Sequence, residues 1–140
     1  MPNGWIRGKL DAIEGIGPQY ARRLKKAGVG SLHSLLKQGM HPQGRREIAQ
    51  STGLSESTIL EWVNRADLFR VKGVGEEYSD LLEQAGVDTV VELAQRNPKN
   101  LYQTLVDVNQ TKNLVRRMPT EGQVKGWVRY AKSLKRVVKY

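Results

Sequence analysis

The stretch Ile13-Glu14-Gly15-Ile16-Gly17-Pro18-Gln19-Tyr20-Ala21-Arg22-Arg23-Leu24 decides the fold. It recurs as Val71-Lys72-Gly73-Val74-Gly75-Glu76-Glu77-Tyr78-Ser79-Asp80-Leu81-Leu82, at a constant shift of 58 residues. The correspondence continues through Ala27-Gly28-Val29 and Ala85-Gly86-Val87 to Leu35 and Leu93. A weaker echo pairs Ile59, Trp62 and Ala66 with Val124, Trp127 and Ala131, now 65 apart, so the second copy holds seven extra residues between Leu93 and Val124. Self-similarity at a fixed offset reads as an internal duplication.

Both copies read as helix. Residues 5–13 and 62–71 are short apolar-periodic segments that end in Gly-x-Gly. Pro18 suits a first helical position, where its missing N–H costs nothing. Tyr20, Leu24 and Ala27 then share one face. Gly28 and Gly86 follow the last periodic residues as stop signals, and Ser31 and Thr89 are natural N-caps for helices over 31–38 and 89–96. Ser55-Glu56-Ser57-Thr58 opens a further helix reaching about residue 70. After Pro119-Thr120, a last helix buries Val124, Trp127, Val128, Ala131 and Leu134 on one face. No strand alternation bounded by turns is found. The expected fold is all-α: one compact domain over 1–140, with copies at 1–66 and 67–140, the second elaborated around 97–123.

Between its two short helices the repeated turn has chemical character. Its glycines permit a tight reversal and the close approach of another backbone. The apolar residue between them, Ile16 or Val74, can tuck inward and lock the turn. Unpaired N–H groups at the start of the following helix, together with its dipole, make a ready phosphate site. The spacing is not Gly-x-Gly-x-x-Gly and no strand precedes it, which argues against a dinucleotide fold.

These residues resemble the helix-hairpin-helix superfamily. Its apolar-Gly turn, small residue four positions on, Leu and Gly-apolar break are matched by Ile16, Gly17, Ala21, Leu24, Gly28 and Val29. Val74, Gly75, Ser79, Leu82, Gly86 and Val87 match it again. Two motifs in tandem look like the unit common in DNA repair, recombination and replication proteins. Over residues 10–134 the chain also resembles a bacterial family of small tandem helix-hairpin-helix proteins catalogued as a domain of unknown function. The resemblance implies sequence-independent binding to a nucleic-acid backbone through hairpin amides and nearby basic side chains.

Charge separates the two copies. The chain carries 23 Lys and Arg against 14 Asp and Glu, a net +9 that points to a polyanionic partner. Residues 1–46 hold nine cations, Arg45 and Arg46 among them, against Asp11 and Glu14. Residues 71–95 hold only Lys72 against Glu76, Glu77, Asp80, Glu83, Asp88 and Glu92. Glu76 and Glu77 favour the helix dipole but repel a phosphate. Phosphate contact is therefore assigned to the backbone of Gly15, Ile16 and Gly17, with Arg22, Lys25 and Lys26 as nearby counter-charge. Lys125, Arg129, Lys132 and Arg136, at three- and four-residue steps, form a stripe on the last helix, and the first three are assigned as an extended basic face. The expected partner is nucleic acid, the backbone of duplex DNA. The runner-up class is a protein-interaction or self-assembly module using the acidic second hairpin. Structured RNA is a third possibility.

Other classes find little support. The absence of cysteine excludes disulfides, thiol catalysis and thiolate metal sites. His33 and His41 lack a ligand cluster, no Ser-His-Asp order can be defended, and the adjacent Glu76 and Glu77 diverge on a helix. No enzyme activity, cofactor, metal or small-molecule substrate is expected. Trp5, Trp62 and Trp127 read as core anchors. No run approaches the roughly 20 apolar residues of a membrane span. The first residues lack a basic-then-apolar leader, so a cytoplasmic setting without membrane contact is the expectation.

Overall fold

A computed structural model describes Ile6 and residues 8–140. The fold is all-α, with no strand among the described residues. A 3-10 turn at Leu10–Ala12 precedes α1 (Pro18–Lys26), α2 (Leu32–Gly39), α3 (Pro42–Thr52), α4 (Glu56–Leu68), α5 (Glu76–Gln84), α6 (Val90–Gln95), α7 (Pro98–Lys112) and α8 (Glu121–Ser133). Local chemistry explains most of the boundaries. The Ser31, Ser55, Thr89 and Thr120 hydroxyls each accept the N–H three residues on, and Gln123 returns the bond at Thr120 to complete a capping box. At the end of α1, Gly28 (φ +87°) and Val29 donate to Lys25 O (3.0 Å) and Leu24 O (2.8 Å). Gly86 and Val87 end α5 with the same pair of bonds, both 2.9 Å. This left-handed closure satisfies carbonyls that a simple stop would leave open.

The chain divides into two compact units, Met1–Arg70 with Val137–Tyr140, and Val71–Arg136. In the first, α2 and α3 pack on α4, and α1 packs on α3. From Trp62 to Leu68, α4 is buried on every face, Asn64, Arg65 and Asp67 included. The junction expected at 66/67 falls inside this helix, and the spatial division comes after Arg70. Asp67 sits 2.5 Å from Arg70 Nε. Gly44 on α3 lets the chain pass close to the end of α2: a Cβ there would collide with the Gln38 carbonyl.

The last four residues pack on this same unit. Val138 is buried among its apolar side chains. Lys139 N–H donates to Met40 O (2.7 Å), and the Tyr140 hydroxyl donates to Asn64 Oδ1 (3.1 Å). Arg45 donates from Nη1 to Gly39 O (2.8 Å) and from Nη2 to Lys139 O (2.7 Å). Arg45 is thus a buried strut, and burial lowers its pKa from the ordinary guanidinium value.

The second unit packs α6 and α7 on α8, and α5 on α7. Leu81, Leu82, Leu93, Leu101, Leu105, Val124 and Trp127 are among its buried side chains. Asn113, in the left-handed region (φ +52°), ends α7. The Asn109 side chain then staples the following loop, donating to Val115 O (3.1 Å) and accepting from Val115 N (2.9 Å).

One expected helix is shorter than read. Over residues 5–13 the described part is a single 3-10 turn, and the positive φ of Gly8 (+136°) and Gly15 (+99°) takes the backbone out of the helical region on either side. Trp5 lies outside the described residues. Trp62 and Trp127 are both buried.

Candidate nucleic-acid interface

The first hairpin is held from within. Ile13 and Ile16 are buried, and Ile16 N–H donates to Ile13 O (3.1 Å). Ile16 therefore locks the turn with its side chain and spends its amide inside it, so it has no N–H to offer a phosphate. The positive φ that only glycine adopts cheaply falls at Gly15. Gly17 is extended (φ −83°, ψ −177°) and serves as N-cap of α1 without any side-chain cap. A Cβ on either glycine would meet nothing within 4 Å, so the outer rim of the turn is open. The first intrahelical bond runs from Ala21 N–H to Gly17 O (2.9 Å). The Gln19 and Tyr20 amides precede it, at the positive end of the helix dipole.

Arg22, Lys25 and Lys26 are exposed on α1, on the side away from buried Leu24. At about 1.5 Å per residue, Arg22 stands about 6 Å along the axis from Pro18, and Lys25 and Lys26 about 10–12 Å. The basic face thus runs lengthwise from the turn. Lys25 and Lys26 also lie in the last helical turn, where cations complement the dipole. Arg23 turns aside: its guanidinium lies 5.9 Å from the centroid of the Tyr20 ring.

The second hairpin has nearly the same backbone. Val74 N–H donates to Val71 O (3.0 Å), Gly73 has φ +93°, and Ser79 N–H donates to Gly75 O (2.9 Å). Tyr78 meets Trp127 at 5.3 Å between ring centroids, as Tyr20 meets Trp62 at 5.5 Å. Its charge is opposite, with Glu76 and Glu77 exposed in the first turn of α5.

In the second unit, Lys125, Arg129 and Lys132 are exposed on α8, opposite buried Val124, Trp127, Val128 and Ala131. Leu134 caps the helix and is only half-buried. Arg136 lies beyond its end and does not extend the stripe. Lys125 lines a cleft of about 420 Å³ with Asn97, Pro98, Lys99, Glu121 and Gly122, where the starts of α7 and α8 meet. Lys99 was missed in the sequence, where only the cap signature Asn97-Pro98 hinted at a helix start. Arg45, counted among the cations of residues 1–46, is withdrawn from the surface by burial.

Fold and surface together define an all-α protein with two matching Gly-x-Gly hairpins of opposite charge. Residues 14–134 match the family described as Domain of unknown function (DUF4332), and the chain belongs to that family. No curated protein and no solved structure matches it. Among the described residues, no helix is long and apolar enough to cross a membrane.

Proposed function

We propose that this is a cytoplasmic, non-enzymatic protein of the helix-hairpin-helix superfamily that binds the backbone of duplex DNA without regard to sequence. The observation that carries the reading is the open start of α1. An uncapped helix N-terminus at Gly17 leads directly into a face of Arg22, Lys25 and Lys26 with no acid among them. Backbone amides and cations in that order suit a phosphate chain, and phosphate contacts carry affinity without sequence information. Gly15 shapes the turn and Gly17 supplies the rim, while Lys125, Arg129 and Lys132 offer a second basic face. Internal duplication belongs to the same reading. It is supported by matched turn bonds and helix ends at a 58-residue offset, and by matched Tyr–Trp contacts whose tyrosines lie 58 and whose tryptophans lie 65 residues apart.

The test is a salt titration against duplex DNA, single-stranded DNA and RNA, using the parent and the triple change Arg22→Glu, Lys25→Glu, Lys26→Glu. The parent is expected to bind unrelated duplexes equally, with log K falling by about 0.9 per phosphate neutralised as log salt rises. The triple variant is expected to lose most of that affinity while its circular dichroism is unchanged. Tighter binding to RNA would reassign the partner. No binding to any of the three at low salt would overturn the proposal.

A further inference from the structure

We infer that α1 and α5 are complementary docking faces, so that the basic α1 of one molecule seats against the acidic α5 of a second copy of this chain. The two helices have the same length, nine residues, and each starts from an extended glycine N-cap. At the 58-residue offset Arg22 stands where Asp80 stands, and Lys25 where Glu83 stands. Pro18 and Gln19 are replaced by Glu76 and Glu77. α1 therefore carries Arg22, Arg23, Lys25 and Lys26 with no acid, and α5 carries Glu76, Glu77, Asp80 and Glu83 with no base.

Arg22, Lys25, Lys26, Glu76 and Glu77 are exposed, while Asp80 and Glu83 are half-buried beside them. Lys72 precedes the acidic stretch, and Lys112 hydrogen-bonds Gln84 at its end. Copies of net charge +9 repel at long range, so an acidic face on each one supplies a local, oriented attraction. Every copy brings both faces, which makes a second copy the partner whose charges fit without further assumption. The contact is heterologous, joining two different patches. Because its pairs are exposed, it is weak and sensitive to salt. Where α1 is also the DNA face, DNA and the second copy exclude each other there.

The experiment is sedimentation of the full chain across concentration, at about 20 mM and about 500 mM salt, where screening differs several-fold. It uses the parent, the double change Arg22→Glu with Lys25→Glu, and the double change Glu76→Lys with Glu77→Lys. The parent is expected to self-associate at low salt and dissociate at high salt. Each double variant alone is expected to need about tenfold or more higher concentration, because the altered helix then has no net charge with which to attract its partner. An equimolar mixture should re-associate at low salt, since the unaltered acidic α5 of the first variant then meets the unaltered basic α1 of the second. Thermal melts verify folding. If a reversed variant melts early, the Gln versions of the same pairs are used, and each is expected to weaken association alone. A parent that stays monomeric at low salt, or a mixture no more associated than its components, overturns the inference. Either result leaves the DNA proposal to its own titration, and re-association in the mixture supports this inference even if no nucleic acid binds.

Discussion

Gly15 and Gly17 are two residues apart and are glycines for different reasons. Gly15 holds φ +99°, so Gly15→Ala should destabilise the protein by about 1–3 kcal/mol through backbone strain. Gly17 is extended with open space around it, so a side chain fits. At an N-cap, Asp is at least as good as Gly and accepts the amides of the first turn. Gly17→Asp should therefore leave stability unchanged or raised by a few tenths of a kcal/mol. It should also weaken DNA binding markedly, by occupying those amides and adding a negative charge. Urea unfolding and duplex binding on both variants check this pair. A Gly17→Asp protein that keeps parental affinity would remove the rim from the proposed site.

At the scale of the element, α4 buries Asp67 beside Arg70 in the first unit. Burial raises its pKa from the ordinary 3.8, although the bond to Arg70 pulls the other way. The native state thus holds this proton more tightly than the unfolded chain. Through Asp67, stability is fully present below the unfolded pKa and is lost as pH rises through the folded one. Asp67→Asn removes that titration. The stability of the parent minus that of Asp67→Asn should then fall as pH climbs above about 4. Denaturant unfolding of both proteins over that range measures the difference, and a flat or rising difference would contradict it. The C-terminal segment is a second element-scale case. Val138 is 3% exposed, and Val138→Ala should cost about 1–3 kcal/mol in the same assay if the segment stays docked in solution. No change would mean that it does not.

For the whole molecule, charge placement matters more than its sum. Burial removes Arg45 from the surface, and the acidic α5 offsets part of the total. The proposed DNA face on α1 offers three cations and the separate face on α8 three more, so about three to six phosphates are neutralised and the salt slope is about −2.7 to −5.4. Between about 50 and 200 mM salt, duplex affinity should then drop by about 40- to 2,000-fold. Filter binding or fluorescence anisotropy over that range reads the slope directly. A slope near zero would show that phosphate contacts do not carry the binding.

What the chain determines by itself is local. The start of α1 at Pro18, the caps at Ser31, Ser55, Thr89 and Thr120, and the closures at Gly28 and Gly86 were all readable. Each depends on dihedral preferences and hydrogen bonds between residues no more than five apart. The exposed faces of α1 and α8 follow from helical periodicity, with Leu24, Val124 and Trp127 on the buried sides. Folding in space decided the rest. Arg45 became a strut because Lys139, 94 residues away, brings a carbonyl to it. Lys99 joined Lys125 because the starts of α7 and α8 converge. The rim of the first turn stayed open because no other described part of the chain comes within 4 Å of where a Cβ on Gly15 or Gly17 would stand. Burial and pairing across distant chain segments come from packing free energy, and composition and periodicity carry no record of which distant residue arrives.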